Sequence, residues 1–290
     1  MPTRQSFLEE FMIMTRKSFS REAAFNWFVI VFVGLTLRSD CLGVTSIIRG
    51  LDLSPVYYES LLHFFHATSW NGQDLLLQCV RWLLKRGLVI TKNGKIVING
   101  DETKVPKEGR RIPLVGSIRQ TSETSSKPSY FRGHEWSMLG ILIGVGNRVF
   151  CSPAWADIMV PGAEEKVTKE SQRTTGIVKA ASELANKLGY QAYLTLDAFY
   201  ASGTVLKAAY VAKNVVIITR AKSNLVAHVL APTMVPKPKG RPKKYLNSVK
   251  LKELHETKKM SLKFKQPIFM EDRKMLRYIP VNYFGNQQAL

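Results

Sequence analysis

Lys95-Ile-Val-Ile-Asn-Gly-Asp101 is the stretch whose reading decides the fold. Its apolar core, Ile96–Ile98, is short and β-branched, which suits a buried strand. A carboxylate, Asp101, closes it. The same grammar recurs in Tyr193-Leu-Thr-Leu-Asp197, where Asp197 closes a second short run. A carboxylate at the end of a buried strand is rigidly aimed. Two of them on neighbouring strands can share a divalent cation that neither holds alone.

Working outward, further strands are expected at Met138–Ile143, Asn147–Cys151 and Val215–Thr219. Between the strands, Thr168 to Leu188 reads as a helix with Ile177, Ala180, Ala181, Leu184 and Leu188 on one face. Gly189 follows at the C′ position. Ser202 to Ala212 reads as a second helix. Alternating strands and helices predict an α/β sheet over residues 91–230. Residues 103–132, polar and containing Ser122-Glu-Thr-Ser-Ser-Lys-Pro, are expected to form a mobile loop beside the site.

Residues 1–90 differ in period. Asn71 to Arg86 places Leu75, Leu76, Cys79, Val80, Trp82 and Leu83 on a broad apolar helical face. Upstream, 43–65 reads as two helices flanking Asp52-Leu-Ser54, with Ser54 as N-cap and Pro55 at the first helical position. That is helix-turn-helix spacing, and an ordinary helical hairpin is the alternative. The apolar run Phe25–Leu37 contains Asn26, Gly34 and Thr36 and falls short of the roughly 20 residues a spanning helix needs. A buried helix or strand is the expectation, in a protein that does not enter the membrane.

The formal charge is +20 over 290 residues, and the last 60 residues hold 14 Lys/Arg against 4 Asp/Glu. Half of the excess is therefore concentrated there, which points to a polyanionic partner, with nucleic acid ahead of a membrane surface. Residues 231–290 include Pro236-Lys-Pro-Lys-Gly-Arg-Pro-Lys-Lys244, a composition excluded from helices and central strands. The Gly-Arg-Pro core is similar to an AT-hook. Arg241, held extended by the next proline, suits a narrow minor groove, and Lys237, Lys239, Lys243 and Lys244 suit phosphates. The alternative is a solvated basic linker. Cys41, Cys79 and Cys151 are scattered, without metal-ligand spacing, and read as reduced thiols of a cytoplasmic protein. No secretory signal is visible.

Other chemistries are set aside. The sequence has no Gly-rich phosphate loop, no Gly-x-Ser-x-Gly elbow and no Cys/His zinc spacing. Glu102 adjoins Asp101, but successive strand residues face opposite sides, so it is not expected to be a co-ligand. His134 reads either as a cap at a strand start or as a group contacting substrate.

Taken together, Ile98-Asn-Gly-Asp-Glu-Thr-Lys-Val105, Gly133-His-Glu-Trp-Ser-Met-Leu-Gly140, Leu196-Asp-Ala-Phe-Tyr-Ala-Ser-Gly203 and Gly240-Arg-Pro-Lys-Lys-Tyr245 resemble the core of bacterial insertion-sequence transposases with a DDE site. The resemblance runs from about residue 40 onward. It implies a ribonuclease-H-like fold preceded by a helical DNA-binding region and interrupted by a basic β-rich insertion. It also implies Asp101 and Asp197 as the first two carboxylates on Mg²⁺ (Mn²⁺ substituting), acting on double-stranded DNA at transposon terminal inverted repeats. A homodimer in the DNA complex and a nucleoid-associated location fit the same resemblance. The family's third carboxylate, a glutamate in a Tyr-x-x-Arg-x-x-x-Glu context, has no counterpart in residues 246–290. Glu271 and Asp272 read instead as a hairpin turn between Pro267–Met270 and Met275–Val281. The expectation is a truncated transposase, weak or inactive alone, with a non-catalytic DNA-binding or regulatory derivative as the rival.

Overall fold

The structure is a computed structural model that describes residues 4–40, 43–109, 111–119, 129–159, 169–220, 226–230, 245–250, 268–270 and 274–276. The chain divides into two compact units, Met1–Pro161 with Asn186–Tyr190, and Gly162–Ala185 with Gln191–Leu290.

The first unit opens with five helices: α1 (Arg4–Arg16), α2 (Glu22–Leu37), α3 (Gly43–Gly50), α4 (Tyr58–His66) and α5 (Gly72–Lys85). The run Phe25–Leu37 falls inside α2, which buries Ala24, Phe28, Val31 and Gly34 at helical spacing. These residues share a core with Phe19, Ile47, Ile48, Leu61 and Phe64. Gly34 makes that contact short, because a Cβ there would stand 2.5 Å from Ile47 Cγ2. Aromatic rings fill the rest, with Phe64 and Trp70 stacked at 5.0 Å. No helix among the described residues is long and apolar enough to cross a membrane.

The break between α3 and α4 lies where it was expected. Asp52 turns the chain at φ 51, and Pro55 starts a 3-10 turn, Pro55–Tyr57, that leads into α4. Ser54 occupies the N-cap position but its side chain makes no capping hydrogen bond. Helix α5 is capped by Asn71, whose side chain accepts from the N–H groups of Gln73 and Asp74.

The strands of this unit are β1 (Thr91–Lys92), β2 (Lys95–Pro106), β3 (Gly116–Arg119), β4 (Tyr130–Val145) and β5 (Arg148–Ile158). They form an antiparallel ladder in which β4 pairs with β2 from Ile98↔Ile141 to Pro106↔Gly133. On its other edge β4 takes β5, and Gly133 also pairs with Gly116 of β3. Two expectations are corrected here. Asp101 does not end its strand, since β2 runs on to Pro106. Residues 103–132 are not one loop, because they contain the end of β2, all of β3 and the start of β4. The extension is polar yet ladder-paired: Lys104 lies opposite Glu135 at 3.9 Å and donates to the Arg119 carbonyl at 2.9 Å. Cross-strand charge pairing holds residues extended that carry no apolar signal.

The second unit contains α6 (Lys169–Leu188) as far as Ala185, then β6 (Gln191–Leu196), α7 (Gly203–Ala212) and β7 (Val215–Thr219), with β6 and β7 parallel and in register from Ala192↔Val215. Ile177, Ala180, Ala181 and Leu184 of α6 are buried as the periodicity required, and Gly189 takes φ 75. Asn214 ties α6 to the start of β7, donating to the Ser182 carbonyl while accepting from its hydroxyl. A separate antiparallel sheet follows, order β11-β10-β8-β9, from β8 (Val226–Leu230), β9 (Tyr245–Lys250), β10 (Ile268–Met270) and β11 (Lys274–Leu276). The expected hairpin is present as the β10–β11 pair, Ile268↔Leu276. Five antiparallel strands, then helix, strand, helix, strand, make a mixed α/β protein, as expected.

Candidate active site

Alternation along β2 buries Ile96, Ile98 and Gly100 and sends Asn99, Asp101 and Thr103 to the other face. Asp101 is exposed, directly opposite Met138, and its Oδ1 accepts the Glu102 N–H at 2.8 Å. Glu102 lies on the opposite face, across from Ser137, as its position in the strand required.

Asp197 follows β6 and caps a 3-10 turn, Ala198–Tyr200. Its Oδ1 accepts the Phe199 N–H at 3.0 Å, and its carbonyl accepts the Thr219 hydroxyl at 2.6 Å. The side chain is exposed. Buried Leu194 and Leu196 precede it, so the apolar run fixes where the carboxylate emerges.

Both aspartates thus stand exposed at the surface of a β framework, each with one oxygen tied to a neighbouring backbone N–H. Each is a hard oxygen donor of the kind Mg²⁺ takes one or two of, completing its shell with water and substrate phosphate. Among the described residues no group of three or more His, Cys, Asp or Glu assembles into a metal cage.

The remaining candidates fall differently. His134 is neither a cap nor at a strand end. It sits inside β4 opposite Val105, with Nε2 2.8 Å from the Pro113 carbonyl, where it pins the connection leading into β3. Lys237, Lys239, Arg241, Lys243 and Lys244 lie outside the described residues, as do Glu271, Asp272 and Cys41. One feature escaped sequence reasoning: a cleft at the start of α5 lined by Gln73, Leu75, Leu76 and Trp136. The β4 alternation places Trp136 on the face of Asp101, but nothing in the sequence brings α5 to it.

Comparison with known proteins identifies the framework. A family model described as DDE superfamily endonuclease matches residues 16–269. The chain belongs to that family. Among solved structures, the Mos1 transposase paired-end complex with left transposon end is similar at 12% identity and a TM-score of 0.23. The similarity covers 67% of this chain and 58% of that one, so the match spans little more than half of that protein's length. No curated protein matches the chain.

Proposed function

We propose, from membership of the DDE superfamily endonucleases, that this chain cleaves and joins DNA strands at transposon ends, with Asp101 and Asp197 as two of its metal-binding carboxylates. The observation that carries the reading is the family match over residues 16–269, a span that contains both aspartates. Their exposure and their backbone anchoring agree with it. A bound Mg²⁺ or Mn²⁺ supplies polarisation of the scissile phosphate and an activated water or DNA 3′-hydroxyl. The chain's own contribution is positional. The ladder around Asp101 and the Thr219 hydroxyl behind Asp197 hold the two carboxylates, and a small misplacement of such groups costs about 10²-fold in rate.

DNA is the partner that the charge favours. The basic segment with Lys237, Lys239, Arg241, Lys243 and Lys244 is assigned to phosphate and minor-groove contact. Helices α3 and α4 are assigned to recognition of the transposon end, with α4 in the major groove. Two copies of the chain, one per end, complete the reading.

The test is nicking of supercoiled plasmid with Mg²⁺ or Mn²⁺, with and without chelator. Asp101→Asn and Asp197→Asn should each abolish nicking and leave DNA affinity in place. Nicking that survives both substitutions, or that ignores the chelator, would sink the assignment. Wild-type chain that binds DNA tightly and never nicks it would instead establish the non-catalytic regulatory reading.

A further inference from the structure

Beyond Asp101, β2 and β4 continue as a paired extension with β3 alongside, and this extension has one buried and one exposed face. Directly opposed residues of an antiparallel pair share a face, and so do alternate residues of one strand. Outward from the Asp101↔Met138 rung, the face of Asp101 therefore carries Thr103 with Trp136, then Val105 with His134. It continues as Ser117 with Arg132 and ends as Arg119 with Tyr130. These last four residues are all exposed, Tyr130 by 60%. The reverse face is closed, with Ile118, Gly133, Glu135 and Ser137 buried.

Alternation also sorts the charge. Apart from Asp101, the acids of β2 to β5 are Glu102, Glu135 and Asp157. All three lie on the reverse face, Glu102 and Asp157 on the rung of Ser137 and Glu135 opposite Lys104. Beyond Asp101 its own face keeps Arg119 and Arg132 and gains no second carboxylate. His134 is already engaged there with the Pro113 carbonyl. The end of β3 is fixed as well, because Lys104 donates to the Arg119 carbonyl at 2.9 Å. Two exposed arginines thus stand on a paired framework, in line with a candidate catalytic carboxylate.

Their spacing selects the partner. At about 3.4 Å per residue, Arg132 stands about 20 Å from the Asp101 rung, and Arg119 with Tyr130 about 27 Å. The two arginines are diagonal neighbours, about 7–8 Å apart. A linear polyanion with a regular charge repeat matches such a row, and a guanidinium fork matches each phosphate. We propose that this face is a track for the DNA duplex flanking the bond held at Asp101. Arg132 and Arg119 take backbone phosphates about six to eight base pairs from that bond, at about 3.4 Å per base pair. The proposal rests on the reading that Asp101 stands at the reacting phosphate. It adds a register, because a duplex of that length is stiff and the strands fix the distance. Phosphate contacts of this kind position the substrate without reading its sequence.

The test has two parts, both on the full chain. Duplex affinity is first measured by fluorescence anisotropy across a salt series. Arg119→Gln with Arg132→Gln should flatten the slope of log K against log salt by about 1.8, at about 0.9 per phosphate contact. Arg148→Gln, at the opposite end of β4, should leave the slope unchanged. The nick made in plasmid is then mapped, and duplexes are built around it with uncharged methylphosphonate linkages at chosen distances. Linkages about six to eight base pairs to one side should weaken wild-type binding by the factor that the double substitution does. They should weaken the double variant no further, as two changes to one contact require. An unchanged slope in a double variant that still nicks overturns this inference alone and leaves the arginines solvated. Methylphosphonates that act only at other distances overturn it too, as does a double variant altered in oligomeric mass but not in slope. A wild-type chain that binds duplex and never nicks it removes the reading of Asp101, and the register with it. Absence of duplex affinity removes the DNA reading altogether.

Discussion

Two glycines of β4, Gly133 and Gly140, should respond unequally to alanine, and the contrast tests the ladder that carries Asp101. At Gly133 an added Cβ would run into the Val105 carbonyl oxygen, with the Val105 carbonyl carbon at 3.1 Å and Phe131 Cε2 at 2.9 Å. Strands flank Gly133 on both edges, through Pro106 and Gly116, so that backbone can move only if the ladder opens. At Gly140 the added Cβ would chiefly meet the Cys151 sulfur, the end of an exposed side chain that can rotate away, with the nearest backbone atom, the Ser152 carbonyl oxygen, at 3.3 Å. Overpacking costs about 1–3 kcal/mol, and Gly→Ala returns about 0.4–1 kcal/mol by restricting the unfolded chain. Gly133→Ala should therefore lose about 2 kcal/mol, whereas Gly140→Ala should stay within about 1 kcal/mol of wild type. For a domain of 150–250 residues that gap is about 4–8 °C in Tm. Urea denaturation of both variants measures it directly, and plasmid nicking should fall in Gly133→Ala beyond what the folded fraction explains. Two variants that unfold within about 0.5 kcal/mol of one another would refute the reasoning, because backbone and side-chain obstruction would then be equivalent.

The other predictions concern a thiol, the basic segment and the second aspartate. Burial pushes the Cys79 thiol from 9.0 up to about 11, so in a Cys41→Ser background Cys151 should be alkylated first at pH 8 and Cys79 only on unfolding. The sign follows: the native state keeps the Cys79 proton, so its contribution to stability is intact below about pH 9 and is lost as pH rises towards about 11. Replacing Lys237, Lys239, Arg241, Lys243 and Lys244 together by glutamine should flatten the slope of log K against log salt by up to about 4–5, at about 0.9 per phosphate contact; an unchanged slope would return the segment to a solvated linker. Thr219→Val removes the shorter of two hydrogen bonds to the Asp197 carbonyl, the other coming from the Tyr200 N–H at 3.3 Å. It should lower kcat for nicking about tenfold while KM for DNA stays level, with Thr219→Ser restoring the rate.

The parts of this fold legible in the sequence are those whose signal is local. Val215–Thr219 is observed at its expected bounds, and α6 and α7 begin within one residue of theirs, because apolar spacing and flanking glycines specify them. The break before α4 was visible in Pro55 and in Asp52, a residue type that tolerates positive φ. By contrast, β4 was expected at six residues and spans Tyr130–Val145. Its first half, Arg132-Gly-His-Glu-Trp136, has no apolar alternation, since its partners are Lys104 and the Pro113 carbonyl. Cross-strand register is tertiary information, so a polar strand end looks like a loop. The cleft was hidden for the same reason. Trp136 and Gln73 meet only because α5 packs on β5, which neither local pattern encodes.

The position of Asp101 within its strand changes how the carboxylate is held. A strand-terminal aspartate moves with the loop after it. Asp101 has ladder pairs on both sides, Gly100↔Leu139 before it and Glu102↔Ser137 after it, so displacing it means opening an antiparallel pair from within. Asp197 stands at a true strand end, and its fixation depends on hydrogen bonds from the Phe199 N–H, the Thr219 hydroxyl and the Tyr200 N–H. One carboxylate is set by the sheet and the other by a turn. Local opening costs the most where ladder bonds must break and the least at turns, so the two sites have unequal freedom. On the proposed chemistry, the Asp101 side stays fixed between turnovers.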